Sequence, residues 1–194
     1  MLRETKIIEM RQRGLEEKYN SIYESHVFIG RQYIEFVIQD IFPQSVRGML
    51  PKTFIDMPDI FAKQKYPSQH RPEVIKTSPD LAVNFAFQYF EERVPVEELV
   101  QAARYFYGML QKCYPGYGYL DFSQGCRRDG EENKLAWYIY SNPTMTDTVF
   151  NIHAFTIVEG RLLQGIFNAP ETLFVQWKPY ALEAFQSITS ERTV

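Results

Sequence analysis

Apolar residues recur at helical spacing in three parts of the chain. Over 96–110 they repeat every three or four positions, which predicts a long amphipathic helix. A similar repeat over 177–188 predicts a closing helix, and Pro179 implies that this helix either starts near Lys178 or is kinked there. Residues 2–24 carry a weaker repeat among many charges, which predicts an amphipathic N-terminal helix.

Between these segments the pattern changes to the alternation that is typical of strands. The predicted strands are 27–29, 33–38, 46–50, 73–77, 81–89, 117–122, 135–140, 148–158 and 161–167. Glu159-Gly160 predicts a tight hairpin turn between the last two strands. In 81–89, Phe85 and Phe87 alternate with more polar residues, which predicts one apolar face and one wetter face.

A short helix is expected after the third strand. Asp56 is its predicted N-cap, with Pro58 near the first helical turn. Ile60, Phe61 and Ala62 are then expected to face the core.

This order of elements predicts the fold class. Helices separate runs of consecutive hairpins, which is typical of an α+β protein with a mainly antiparallel sheet flanked by helices. We expect residues 1–25 to form an N-terminal amphipathic helix extension and residues 26–194 to form a single domain.

Charge and composition narrow the classes of function. The chain of 194 residues contains 21 Lys and Arg against 24 Asp and Glu, for a formal net charge of −3. Such a balance leaves no broad basic surface, so we expect no nucleic acid as a partner. No apolar run approaches the roughly 20 residues of a membrane span, and we expect no secretory signal because the first 20 residues lack an uninterrupted apolar stretch. The two cysteines, Cys113 and Cys126, are far apart and are expected to be reduced in a cytoplasmic protein.

Motifs for known chemistry are missing from the sequence. It has no Gly-x-Ser-x-Gly elbow and no glycine-rich phosphate loop, so we predict no catalytic residue and no cofactor. His26, His70 and His153 are far apart, and we predict no metal site, although they could still converge in space. His153 shares a strand face with Asn151 and should meet either water or a covering helix. Cys126, followed by two arginines, is the one thiol whose reactivity merits a test.

The segment Lys65-Tyr-Pro-Ser-Gln-His-Arg-Pro72 is the first candidate interaction site. Its two prolines favour a stiff loop, and Tyr66 and Arg71 are residue types that are frequent at binding hot spots. Tyr66, His70 and Arg71 are therefore candidate binding residues. In the alternative interpretation, Tyr66 packs at the core edge and Arg71 pairs with a carboxylate.

A group of aromatic residues in the second half of the chain is the other candidate site. Its members are Tyr114, Tyr117, Tyr119, Phe122, Trp137, Tyr138 and Tyr140. We name Trp137 and Tyr138 as candidate binding residues; Tyr138 shares a strand face with Tyr140 that Trp137 does not share. The alternative is that these rings belong to the core and its rim.

Several motifs together resemble a known group of proteins. They are Met49-Leu-Pro-Lys-Thr-Phe54, Lys65-Tyr-Pro-Ser68 with Arg71-Pro72, Gly160-Arg-Leu-Leu163 with Gly165-Ile-Phe-Asn168, and Trp177-Lys-Pro179. This set resembles uncharacterised proteins of anaerobic Gram-positive bacteria, and the order of elements over 27–189 is similar to the PsbP-like α/β/α sandwich. That fold is named after an extrinsic subunit of photosystem II and includes a nuclear-import factor that binds the GTPase Ran. The resemblance implies an interaction role and transfers no functional residues.

Three hypotheses of function follow from the sequence. The first is a non-enzymatic cytoplasmic domain that binds another protein. Its N-terminal helix is expected either to lie against the sheet or to supply a contact for a homodimer. The second, from another class, is a small-molecule-binding protein or an enzyme of unrecognised type, whose cleft is lined by the 65–72 loop. Tyr66, His70, Arg71 and His153 would then share one pocket. The third, by analogy of fold alone, is a scaffold subunit of an envelope-associated assembly.

Overall fold

The computed structural model describes residues 21–24, 26–69, 71–144 and 147–190. The strands, in chain order, are β1 (Val27–Ile29), β2 (Gln32–Ile34), β3 (Phe36–Phe42), β4 (Val46–Pro51), β5 (Ile55–Asp56), β6 (Val74–Thr77), β7 (Asn84–Arg93), β8 (Gly118–Arg127), β9 (Gly130–Pro143), β10 (Thr148–Val158), β11 (Arg161–Pro170) and β12 (Thr189–Ser190). The helices are α1 (Asp59–Lys65), α2 (Leu99–Cys113), which follows a 3-10 turn at Val96–Glu98, and α3 (Glu171–Gln186).

Seven antiparallel strands form the central sheet, in the order β5-β6-β7-β11-β10-β9-β8. The turn between β10 and β11 lies at Glu159 and Gly160, whose φ angles are 51° and 77°. Positive φ at both positions is typical of the two-residue turns whose twist matches that of a hairpin. The other described strands form the three-stranded sheet β12-β4-β3 and the hairpin β1-β2.

Different helices cover the two faces of the central sheet. The α3 face carries Gly165 and Phe167 of β11 and shares one hydrophobic core with α3 and the three-stranded sheet. Gly165 lets α3 come close, because an added Cβ would lie 2.5 Å from Cε1 of Phe185. The α1/α2 face carries Gln164 and Asn168 of the same strand, and its apolar residues pack against α1 and α2. These layers confirm the predicted α+β class with a mainly antiparallel sheet between helices.

The closing helix begins well before Lys178, where one of the two predicted alternatives placed its start. It starts at Glu171, directly after β11, and continues through Pro179 to Gln186. The start near Lys178 is therefore wrong. Pro179 cannot donate a hydrogen bond to the carbonyl of Val175, but Val175 is 76% exposed, so water can reach this side of the helix.

The short helix α1 follows Pro58 as predicted, but its N-cap and most of its core face differ from the prediction. Asp56 is not its N-cap, because Asp56 lies in β5 opposite Lys76, with 2.7 Å between Lys76 Nζ and Asp56 Oδ1. Ile60 and Phe61 are 72% and 39% exposed, and Ala62 alone of the predicted trio is buried. Three consecutive residues cannot share one face of a helix with about 3.6 residues per turn.

The predicted wetter face of β7 is buried at two of its residues. Ala86 is fully buried and packs with Ala62 of α1 and Ile75 of β6. Asn84 is 1% exposed and is hydrogen-bonded to Asn168. Gln88 on the same face is half-buried. At Ala86 both sides of the strand are covered because α1 packs on the side that the alternation assigned to solvent.

The predicted N-terminal helix falls largely on residues 1–20, which lie outside the described residues. Where the description begins, Ile22 is buried, and its backbone N–H donates to Glu183 Oε2 at 2.7 Å. The guanidinium of Arg128 lies 3.7 Å from the centre of the Tyr23 ring. The division of the chain at residue 25 stays a prediction. Among the helices described, none has both the length and the apolar character that crossing a membrane requires.

Candidate functional site

A cleft of about 770 Å³ lies on the α1/α2 face, between the two helices that cover it. Residues of β9, β10 and β11 form its floor, and the loop after α1 and the end of α2 form its walls. We call it the face cleft. Its polar and aromatic lining includes Tyr66, Tyr117, Tyr140, Asn151, His153 and Asn168.

Cross-strand neighbours build the floor of the face cleft. Asn151 of β10 lies opposite Asn168 of β11 on one side and opposite Tyr140 of β9 on the other. His153 lies two residues further along β10 and therefore points to the same face, because side chains alternate along a strand. Regular antiparallel pairing thus gathers polar side chains of three strands in one patch.

A directed chain of hydrogen bonds runs from β6 to Tyr66. Thr77 Oγ1 donates to Asn84 Oδ1 at 2.7 Å, and Asn84 Nδ2 donates to Asn168 Oδ1 at 2.7 Å. Asn168 Nδ2 then donates to the phenol oxygen of Tyr66 at 2.6 Å. Burial raises the pKa of Tyr66 to about 12, so the hydroxyl keeps its proton at neutral pH.

Polar side chains surround the imidazole of His153. Tyr138 Oη and Gln164 Nε2 lie 3.0 Å and 3.2 Å from its Nδ1, and Tyr140 Oη lies 3.1 Å from its Nε2. Burial lowers the pKa of His153 to about 3, because desolvation disfavours the charged ring. Burial also raises the pKa of Tyr138 and Tyr140. The cluster around His153 is therefore uncharged at neutral pH.

Three tyrosines stack along one wall of the face cleft. The ring centroids of Tyr114 and Tyr117 are 4.8 Å apart with 9° between the planes, and those of Tyr117 and Tyr140 are 5.7 Å apart with 4°. Tyr114 is 49% exposed and lies at the rim. Because Tyr117 lies between the other two rings, the stack offers its ring edges and its outermost ring, Tyr114, to the cleft.

Formal charge in the lining is confined to one residue. Lys65 is the only Lys, Arg, Asp or Glu among the described residues that line the face cleft. Its ammonium donates to the carbonyl oxygen of Leu81, and burial lowers its pKa. In the parts of the chain that the structure describes, no three His, Cys, Asp or Glu side chains come together in a group that could hold a metal. The cleft is thus built for hydrogen bonding and stacking rather than for ion pairing.

The structure describes four of the five candidate binding residues and does not gather them in one site. Tyr66 lines the face cleft, whereas Arg71 is exposed and is not among the described lining residues. His70 lies outside the described residues. Tyr138 is buried beside α2, and Trp137 packs on the opposite, α3 face of the sheet. A role of these residues in binding stays a prediction.

The remaining sequence candidates can also be placed. His153 is 8% exposed and lies beside residues of α2, so of the two expected environments it has the covering helix. Cys113 and Cys126 are both exposed, and no disulfide joins them. The reactivity of Cys126 stays a prediction.

Three polar residues of the site were not singled out as binding residues from the sequence. They are Asn151, Gln164 and Asn168. The predicted hairpin turn at Glu159-Gly160 could have indicated two of them, because the register that this turn sets pairs Asn151 with Asn168. Alternating polar residues on both strands of a central hairpin need partners when they are buried. The contact of Asn168 with Tyr66 spans 102 residues, and no local pattern indicates it.

An antiparallel sheet between helices on both faces, with a cleft on one face, defines the class of fold. The chain is similar to the solution structure of cyanobacterial PsbP (CyanoP) from Synechocystis sp. PCC 6803, with a TM-score of 0.56 and 11% identity, covering 79% of this chain and 91% of that one. A crystal structure from Bacteroides thetaiotaomicron VPI-5482 aligns with a TM-score of 0.47 and 10% identity, covering 76% of this chain and 46% of that one. No protein-family model and no curated protein matches the chain. The PsbP-like fold is confirmed, and the resemblance to a bacterial family stays a prediction.

Proposed function

We propose that the protein binds a small uncharged organic molecule in the face cleft. The observation that carries this proposal is the cleft of about 770 Å³, a volume inside the roughly 300–1,000 Å³ range of small-molecule sites. Its lining combines a stacked aromatic wall with a few polar groups held by fixed partners, as ligand sites do. A neutral ligand is favoured because a buried charge would meet the uncharged cluster around His153 and lose its hydration.

Protein binding through the 65–72 loop, the first expectation from the sequence, stays a prediction, as do the scaffold role and the cytoplasmic location. Tyr66 was to be the aromatic anchor of that interaction. Its hydroxyl instead accepts a hydrogen bond from Asn168 at 2.6 Å, and its ring packs with Ala62 and Ile75. The loop therefore contributes a wall to the face cleft, which supports the small-molecule alternative.

Titration of the ¹⁵N-labelled protein with benzamide tests the proposed binding. We expect saturable chemical-shift changes in the amide signals of β10 and β11 around Asn151 and Asn168. The dissociation constant should be on the order of 1 mM, because so small a probe gains only a few kcal/mol.

Two matched variants locate the binding. Ala82 lines the face cleft, so Ala82→Phe should fill it and abolish the shifts. Ala102 lies on α2 and lines a separate cavity, so Ala102→Phe should leave them unchanged. The proposal is wrong if neither benzamide nor a methyluracil causes a saturable shift, or if the benzamide shifts survive in Ala82→Phe.

A further inference from the structure

Two tyrosine hydroxyls flank Asn151 on the floor of the face cleft. Tyr140 lies on β9, directly opposite Asn151 of β10. On the other side of β10, Asn168 of β11 holds the hydroxyl of Tyr66 at 2.6 Å. The two phenols are close enough that Tyr66 contributes to the raised pKa of Tyr140. Across the strands the order is therefore Tyr140, Asn151 and then Asn168, which holds the second phenol.

The direction of the hydrogen bond at Tyr66 is determined by the chain that ends there. Asn84 and Asn168 each accept through Oδ1 and donate through Nδ2. The phenol oxygen of Tyr66 is consequently an acceptor from Asn168. Its own O–H remains to be donated into the face cleft.

The direction at Tyr140 follows from the tautomer of His153. The amide nitrogen of Gln164 lies 3.2 Å from Nδ1 and can only donate, so Nδ1 is the unprotonated nitrogen. The neutral ring then carries its proton on Nε2, which donates to the oxygen of Tyr140 at 3.1 Å. Tyr140, like Tyr66, keeps its own O–H for the cleft.

Asn151 supplies the opposite polarity between these donors. Its Nδ2 donates to Asn142 Oδ1 at 2.8 Å and to the carbonyl of Val149 at 3.4 Å. No described residue donates to its Oδ1, and no described side-chain polar atom is both buried and unpartnered, so Oδ1 reaches the cleft. The cleft thus presents two hydroxyl donors and one amide acceptor, carried by Tyr140 of β9, Asn151 of β10 and the Tyr66 hydroxyl beside β11.

We infer that the ligand is a planar ring with a cyclic imide edge, in which an N–H lies between two carbonyl groups. The two carbonyl oxygens accept from Tyr140 and Tyr66, and the N–H donates to Asn151 Oδ1. The ring lies within reach of the stacked wall of Tyr114 and Tyr117. This inference rests on the proposed function, since it names the class of ligand that the same cleft would hold.

Two isomers with the same composition test the inference in the unmodified protein. 1-Methyluracil keeps the carbonyl–N–H–carbonyl edge, and 3-methyluracil carries a methyl group in place of that N–H. We expect 1-methyluracil to bind at least about tenfold more tightly, because its isomer leaves the acceptor of Asn151 unpaired. Equal affinities of the two isomers overturn the inference even if benzamide binds, whereas a failure of benzamide and both isomers overturns the proposed function itself.

Single-hydroxyl variants assign the two donors. Tyr66→Phe and Tyr140→Phe should each weaken binding of 1-methyluracil by about three- to tenfold. Tyr105→Phe is the matched control, because Tyr105 is 65% exposed and lines a separate cavity. An equal effect of all three variants overturns the assignment of the donors.

The tautomer of His153 can be measured directly. Imidazole ¹⁵N spectra, assigned with His153→Gln, should show a protonated Nε2 and an unprotonated Nδ1. The opposite tautomer would make Tyr140 a donor to His153 instead of to the ligand, and it overturns the inference without reference to any variant in the cleft.

Discussion

At the scale of single residues, His153 shows how a buried polar group is kept neutral. Its three partners, Tyr138, Tyr140 and Gln164, are uncharged at neutral pH and supply no negative charge to an imidazolium. A charged imidazolium at this buried position would therefore have neither hydration nor an ion pair to stabilise it. The neutral ring is held by hydrogen bonds, with Tyr138 and Gln164 at Nδ1 and Tyr140 at Nε2.

Tyr138→Phe tests how much one hydrogen bond in the cluster around His153 contributes to the stability of the fold. The change removes the phenol 3.0 Å from Nδ1, while Gln164 still donates to the same nitrogen at 3.2 Å. Because Nδ1 is not left without a donor, we expect the free energy of unfolding to fall by only about 1 kcal/mol. Urea denaturation measures this. Tyr105→Phe is the control, because Tyr105 is 65% exposed, and it should change the free energy of unfolding by less than about 0.5 kcal/mol. Equal losses in both variants would contradict a stabilising role of the hydrogen bond at His153.

At the scale of elements, the contact of α3 with the central sheet depends on a missing side chain. A Cβ at Gly165 would lie 2.5 Å from Cε1 and 2.8 Å from Cδ1 of Phe185, which is fully buried. Gly165→Ala should therefore lower the free energy of unfolding by about 1–3 kcal/mol through overpacking. Gly116→Ala is the control, because no heavy atom lies within 4 Å of the added Cβ.

The mechanism at Gly165 has its own check. If the clash with Phe185 causes the loss, then Phe185→Leu in the Gly165→Ala background should cost less than Phe185→Leu alone. Additive losses in this cycle, followed by thermal denaturation, would show that the ring of Phe185 is not what the new Cβ meets.

At Gly108, in the middle of α2, we expect that alanine stabilises the protein instead of destabilising it. An added Cβ meets no heavy atom within 4 Å, and the residue lies inside a helix of 15 residues. Since glycine costs about 1 kcal/mol relative to alanine inside a helix, Gly108→Ala should raise the free energy of unfolding by about 0.5–1 kcal/mol. A lower melting temperature in this variant would contradict the helix-propensity argument.

Local pattern was sufficient for the longest elements and misleading where distant pairing competes. The alternation over 148–158 predicts β10 with the bounds that the structure has. Asp56 has the residue type of an N-cap, but pairing of β5 with β6 holds it in a strand beside Lys76. Capping preference is a small local term, and a sheet contact made 20 residues further along the chain overrides it.

At the scale of the whole molecule, the face cleft depends on which strands become neighbours. Hairpin geometry alone could have placed Asn151 opposite Asn168, since the turn sets the register of β10 and β11. Tyr66 reaches this pair only because β7 is next to β11 and brings α1 onto the same face. Alternation along one strand contains no information about which strand lies next to it. The sequence therefore indicated Tyr66 as a candidate binding residue but not its contact with Asn168.

The buried imidazole also affects the acid stability of the whole protein. The pKa of His153 is about 3 in the folded protein and 6.5 in its ordinary state, so between these values the unfolded chain binds a proton that the folded chain does not. Stability is therefore fully present above the ordinary pKa and falls by about 1.4 kcal/mol for each pH unit below it. Urea denaturation of the unmodified protein and of His153→Gln at several pH values from about 7 down to about 4 measures this contribution against that of the carboxylates. We expect the variant to lose less stability, by about 1.4 kcal/mol per pH unit. An identical pH dependence in both proteins would mean that folding does not lower the pKa of His153.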